Sequence, residues 1–131
     1  MEYKLGTKSL SNLEGVHPDL VKVVKRAIEL TQVDFTVIEG LRTKERQAQL
    51  LKEKKTTTKN SRHLTGHAVD LAAWVDGTIS WDWKYYEQIE AAMKQAASEL
   101  KIPIEWGGDW KRFKDAPHWQ LPWSKYPKMK N

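Results

Sequence analysis

The chain has 131 residues, 40% apolar and 30% charged, enough for one domain with one modest core and unlike the composition of a disordered chain. Lysine and arginine number 22 against 17 aspartates and glutamates, a formal net charge of +5; this suits polyanionic partners such as nucleic acid, anionic lipid or cell-wall polymer without choosing among them, and equally serves plain solubility. The absence of cysteine removes disulfides, thiolate catalysis and cysteine-based zinc fingers, and with no run of about 20 apolar residues and no apolar leader after Met1, neither stable membrane insertion nor a signal peptide is expected.

Pro18 opens the first helical pattern. Leu20, Val21, Val23, Val24, Ala27, Ile28 and Leu30 recur at helical spacing, and proline suits a first helical turn. Asp34 to Glu39 is rich in β-branched residues and reads as a strand ended by Gly40. Thr43 reads as the N-cap of a second helix that continues through Ala48, Leu50 and Leu51. Lys54 to Asn60 is polar and threonine-rich, a loop. Ala68 to Trp74 is a mostly apolar strand. Asp76-Gly77 signals a hairpin, with Thr78 to Trp81 as the return strand. Tyr86, Ile89, Ala92, Met93, Ala96, Ala97 and Leu100 mark one face of a long helix from Tyr85, stopped by Pro103. Ile104 to Trp106 and His118 to Leu121 are short strands. Helices and strands mix without β-α-β alternation. The expectation is an α+β fold: residues 1–131 as a single small domain, an antiparallel β-sheet flanked by about three helices.

The chemistry concentrates in Ser61-Arg62-His63-Leu64-Thr65-Gly66-His67-Ala68-Val69-Asp70 and in Asp115-Ala116-Pro117-His118. His63, Asp70 seven residues later and the distant His118 form a ligand set that suits a catalytic zinc, with a fourth position left for water. Strand alternation puts Asp70 on the opposite face from Val69 and Leu71. A buried carboxylate needs a cation or a strong hydrogen-bond network; a salt bridge to Arg42 or Arg62 is the simpler alternative to a metal. His63 and His67 share the spacing of a zincin helix, but Leu64 stands where the glutamate base belongs and Gly66 interrupts the helix, so that reading is rejected. His67 then reads as structural or as a support behind the ligands, and His17 as a surface or capping residue.

Asp115 is placed to accept a proton from the attacking water, or is simply a turn residue. Arg42, at the junction of the first strand and second helix, would stabilise an oxyanion or hold a substrate carboxylate; the alternative is an ion pair with Glu39 or Glu45. Ser61 would bind a substrate carboxylate or cap its loop. Seven tryptophans, with Trp106, Trp110, Trp119 and Trp123 in the last quarter, serve as core filling, as a cleft wall, or as both.

Ser61-x-His63-x-x-Gly66-x-Ala68-x-Asp70 resembles the signature of the VanY-like D-Ala-D-Ala carboxypeptidase, or LAS-type, zinc metallopeptidases, a group that includes phage endolysins cleaving the L-alanyl-D-glutamate bond of peptidoglycan. Gly40-Leu41-Arg42-Thr43 with Gln47, Trp106-Gly107-Gly108-Asp109-Trp110, and Asp115-x-Pro117-His118-x-Gln120-Leu121 resemble further segments of that family, so the likeness runs from about Thr36 to Leu121. It implies a LAS-type fold, one catalytic zinc on His63, Asp70 and His118, a general base at Asp115 and an oxyanion-stabilising arginine at Arg42. Many relatives carry glutamate where this chain has Asp115, and a second histidine where it has Ala116.

The resemblance implies a zinc peptidoglycan endopeptidase of phage host lysis. Its expected partner is the stem peptide, not nucleic acid, and it is expected to be a monomer without a separate wall-binding domain. It would be made in the host cytoplasm and reach the wall after holin-mediated release. A D-Ala-D-Ala carboxypeptidase or dipeptidase is the rival within the same chemistry. A non-catalytic wall-binding module and a basic nucleic-acid binder are the readings from other classes, though no nucleic-acid-binding signature is present.

Overall fold

The computed structural model describes residues 3–42, 44–52, 62–110, 114–122 and 124–126. Thr43, the loop expected over 54–60, Ser61 and Trp123 lie outside the described residues. In chain order the elements are α1 (Thr7–Asn12), α2 (Pro18–Leu30), β1 (Phe35–Glu39), α3 (Lys44–Lys52), β2 (Ala68–Val75), β3 (Thr78–Ser80), α4 (Trp83–Leu100), β4 (Glu105–Trp106) and β5 (His118–Gln120). Three helices of nine residues or more accompany an antiparallel sheet, as the α+β expectation required. Among the described residues no helix is long and apolar enough to cross a membrane.

Helix α2 forms for the reasons its sequence advertises. Pro18 occupies the first turn, Asp19 sits near the positive end of the helix dipole, and the His17 ring accepts a hydrogen bond from Asp19 N–H at 3.1 Å. Leu20, Val23, Val24, Ala27 and Ile28 are buried on one face. Helix α4 buries Tyr86, Ile89, Ala92, Met93, Ala96 and Ala97, and ends where Lys101 adopts a left-handed conformation. The two helices pack together, bridged at the surface by an Arg26–Glu99 ion pair of 2.8 Å. They share one core with Val69, Leu71 and Ala73 of β2 and Phe35 and Val37 of β1. Each fully buried aliphatic side chain contributes roughly 1.5–3 kcal/mol.

The sheet order is β1-β2-β5-β4, with β3 paired to the far half of β2. All pairings are antiparallel. Asp76 and Gly77 both have positive φ, 52° and 81°, as a tight hairpin with a type I′ turn requires. Strand β1 is an edge strand, and an edge leaves backbone groups unpaired. The short α1, which no periodicity announced, answers that need. Ser9 Oγ accepts from Val37 N–H at 2.9 Å, and Asn12 Nδ2 donates to Val37 O at 2.8 Å.

Because side chains alternate along a strand, Asp70, Ala72 and Trp74 point away from the helices. The register sets Asp70 opposite His118 on β5 and opposite Glu39 across a bulge in β1. Three chain segments distant in sequence therefore meet at one end of β2.

Candidate metal centre

His63 lies on a single 3-10 turn, Arg62–Thr65, where the sequence reading had a loop. Gly66 follows with φ +77°, and a Cβ there would stand 2.4 Å from Gly15 O. Glycine is thus required twice over, by backbone conformation and by close approach. A single 3-10 turn broken at Gly66, in place of a continuous α-helix from His63 to His67, agrees with setting the zincin reading aside.

The Nδ1–H of His63 donates to Gly40 O at 2.8 Å, which turns Nε2 toward Asp70 Oδ1 at 3.2 Å. His118 is oriented the other way round. Its Nε2–H donates to Gln120 Oε1 at 2.8 Å, and its Nδ1 faces the same Asp70 oxygen at 3.3 Å. The two rings meet edge to face, 5.1 Å between centroids. Both histidines are buried, and the Asp70 side chain is 17% exposed. A ligand atom from each of the three lies within 4.8 Å of the others, a group that could hold a metal ion, and among the described residues it is the one such group.

Each imidazole thus spends one nitrogen on a fixed carbonyl and aims the other at a common point. That bracing selects the tautomer and direction a metal ligand needs. Burial pushes the Asp70 carboxyl up, but the His118 and His63 rings beside it overcome that and hold it well below the usual carboxylate range. The carboxylate stays anionic, as a ligand must. The donor set of two imidazoles and one carboxylate, oriented before any ion arrives, fits a borderline divalent metal.

Asp115 stands at the rim and is exposed. Its backbone is tied on both sides, Asp115 N–H to Gly107 O and His118 N–H to Asp115 O, each at 3.0 Å. A Cβ on residue 107 would approach Asp115 O to 2.2 Å, so glycine at that position lets the rim loop close down. Crowding by protein raises the Asp115 carboxyl above its ordinary value and the Asp70 charge adds to the rise, while His118, His63 and Arg42 pull against it. Arg42 is therefore within electrostatic reach of Asp115. The guanidinium is gripped by Glu39 through two parallel bonds, Nε to Oε1 at 2.6 Å and Nη2 to Oε2 at 2.7 Å. Its backbone N–H donates to His63 O at 2.8 Å, which ties it to the ligand turn. The ion pair with Glu39, one of the alternatives the sequence left open, is formed.

His67 stands apart from the ligand group. Its Nδ1 meets Thr65 Oγ1 at 2.6 Å, and its ring packs with His17 and Tyr126. Arg62 donates to the carbonyls of Leu121 and Tyr126, so this side of the turn anchors the end of the described chain. Sequence reasoning offered Glu39 only as one possible ion-pair partner of Arg42, and it missed Gln120 and Gly40 as orienting residues. The only available signal for Glu39 and Gly40 was their adjacency to Arg42. Gln120 is two residues beyond His118 on the same strand face, which strand alternation would have indicated. Trp119 stacks on Trp106 in the core, and Trp110 packs against the His118 ring, so these tryptophans both fill the core and wall the site.

Residues 1–120 match the family described as phage L-alanyl-D-glutamate peptidase. The chain is 38% identical to the L-alanyl-D-glutamate peptidase of Escherichia phage T5, over 84% of this chain and 83% of that protein. It is 31% identical to the peptidoglycan L-alanyl-D-glutamate endopeptidase CwlK of Bacillus subtilis, over 85% and 74%. The crystal structure of the Serratia marcescens L-Ala D-Glu endopeptidase ChiX superposes with a TM-score of 0.91 at 48% identity, covering 97% of this chain and 96% of that one.

Proposed function

The chain belongs to the phage L-alanyl-D-glutamate peptidase family, and on that premise we propose that it is a zinc-dependent endopeptidase hydrolysing the bond between L-alanine and D-glutamate in peptidoglycan stem peptides. The observation that carries the zinc assignment is the spacing around Asp70. Two nitrogens lie 3.2 and 3.3 Å from its oxygen, and ligands bound tetrahedrally to zinc at 2.0–2.1 Å stand about 3.3 Å apart. His63, Asp70 and His118 are the ligands in this reading.

A zinc ion held there supplies Lewis acidity to the scissile carbonyl and lowers the pKa of the attacking water. Asp115 takes the proton from that water and returns it to the leaving amine. Its raised carboxyl pKa makes it a better base than an ordinary aspartate. Arg42, held rigid by Glu39, sets its positive charge against the oxyanion that develops on the carbonyl oxygen. Ser61 contributes to holding the substrate. The enzyme acts as a monomer on the cell wall, which it reaches from the host cytoplasm after holin-mediated release, and residues 1–131 form a single peptidase domain.

Digestion of purified muropeptides, followed by identification of the new N-terminus, tests the assignment. D-Glutamate at that end supports it. D-Alanine would instead establish the D-Ala-D-Ala peptidase alternative, and intact muropeptides would leave a wall-binding module.

A further inference from the structure

Strand β4 delivers one indole to the rim loop that carries Asp115. Trp106 is buried, and its Nε1–H donates to Ala116 O at 2.7 Å. We propose that Trp106 is a positioning residue for the peptidase reaction: its indole N–H pins the peptide plane after Ala116 and thereby sets where Asp115 stands relative to His118. The inference rests on the reading of Asp115 as the proton acceptor.

Residues 115–118 are tied down at successive positions. Asp115 N–H donates to Gly107 O at 3.0 Å, His118 N–H to Asp115 O at 3.0 Å, and Leu71 N–H to Pro117 O at 2.8 Å. Those donors belong to the backbone and are present whatever the side chains. The tie at Ala116 O is made by a side chain, so one substitution can remove it. Ala116 and Pro117 form the turn that the His118 to Asp115 bond closes. With its peptide bonds trans, a turn with proline in third place is poorly supported by its own sequence, because proline drives the residue before it out of helical backbone. Such a turn relies on contacts from outside, and Trp106 supplies one at the residue next to Asp115.

The indole that makes this bond is itself held still. Its ring stacks on that of Trp119, 5.7 Å between centroids and 18° between planes, where β4 pairs with β5. Trp83 packs against it at 5.7 Å. The chain returns over it at Gly108, where a Cβ would stand 2.4 Å from Trp106 Cζ2. Lys94 Nζ lies 5.6 Å from the ring centroid and also donates to Asp109 Oδ2 at 3.0 Å, so α4 grips both the indole and the turn after it. Filling a core requires the ring and makes no use of the N–H. Trp119 provides the contrast: its Nε1 is buried with no partner among the described residues. Buried indole N–H groups usually find an acceptor, and of this stacked pair it is the one beside the Asp115 loop that has it.

Two substitutions in the zinc-loaded full chain test the proposal. Trp106→Phe keeps an aromatic ring against Trp119 and removes the donor. Should phenylalanine leave the core underfilled, 3-benzothienylalanine at position 106 keeps the indole's shape with sulfur in place of N–H. Each is expected to lower kcat on muropeptides roughly 10- to 100-fold, the effect of a small misplacement at a reacting centre. KM should change by less than about twofold, and zinc affinity in chelator competition by less than about threefold. In an Asp115→Ala background the same substitutions should lower the residual rate by about twofold or less, because residues that act as a unit are not additive. Equal fold-losses in both backgrounds would mark Trp106 as core filling and overturn the proposal. An unchanged kcat, or zinc affinity falling in step with kcat, would overturn it too. Full activity of Asp115→Ala alone would overturn the base assignment and this inference with it, a result read before Trp106 is touched.

Discussion

Two aspartates on the same sheet have opposite fates. Asp70 and Asp34 are both largely withdrawn from water, one within β2 and the other just before β1. Asp70 faces one ring nitrogen from each of two imidazoles that are themselves braced by Gly40 O and Gln120 Oε1, and its carboxyl is held low. Asp34 has the Phe35 N–H and one orphaned oxygen, and burial pushes its carboxyl up. Burial alone penalises a carboxylate; a surrounding pair of fixed imidazoles turns the same burial into a preorganised anionic ligand. The metal centre is distinguished by what converges on the aspartate, and depth in the fold contributes little to that distinction.

Removing the centre of convergence has the largest effect. Asp70→Ala is expected to lose zinc, seen by elemental analysis, and to lose about three orders of magnitude of activity or more, since even outer partners of a metal site cost ~10–100-fold. Retained zinc with full activity would break the comparison at its root. Asp115→Ala separates chemistry from binding: kcat on muropeptides falls ~10²–10⁴-fold while zinc content is unchanged. Gln120→Ala probes the bracing alone. Competition against a chelator should show zinc affinity reduced ~10–100-fold, and unaltered affinity would mean that the His118 ring is held by packing instead.

The smallest effect comes from the other aspartate. The folded pKa of Asp34 is raised, so between the unfolded value of about 3.8 and the folded one the native state holds more protons than the unfolded state. Stability attributable to Asp34 therefore falls as pH rises through that window and stays low above it. Asp34→Asn removes the titration. Thermal or urea unfolding at neutral pH should show a gain of up to about 1 kcal/mol, shrinking toward zero below pH ~4. A loss of stability at neutral pH would show that the orphaned oxygen has a partner in solution.

Local chemistry announced much of this molecule. The apolar period of Leu20 to Ile28 with Pro18, the long face from Tyr86 to Ala97, and Asp76-Gly77 all correspond to the observed α2, α4 and hairpin. Boundaries differ by a residue or two, as in α4 beginning at Trp83. Helix α1 was missed because its six residues are too few to show a period, and because its role, pairing Val37 of the edge strand, exists only once the sheet is built. Asp34 read as a strand residue, and nothing in its neighbourhood of sequence marked an unpaired oxygen. Arg42 was visible as a candidate, but its two-bonded grip by Glu39 was one of several pairings the sequence allowed.

The chain by itself determined which groups are chemically equipped: two histidines and an aspartate in motif-like segments, a nearby second aspartate, and an arginine after a strand. It also determined the elements that carry them, because periodicity, proline, glycine and turn residues act over a few positions. Only the tertiary structure decided that they meet. His118 reaches Asp70 through the pairing of β5 with β2, Glu39 reaches it across β1, and Gly40 O turns the His63 ring. Those contacts depend on register between segments far apart in the chain, and register is settled by burying one face of the whole sheet at once.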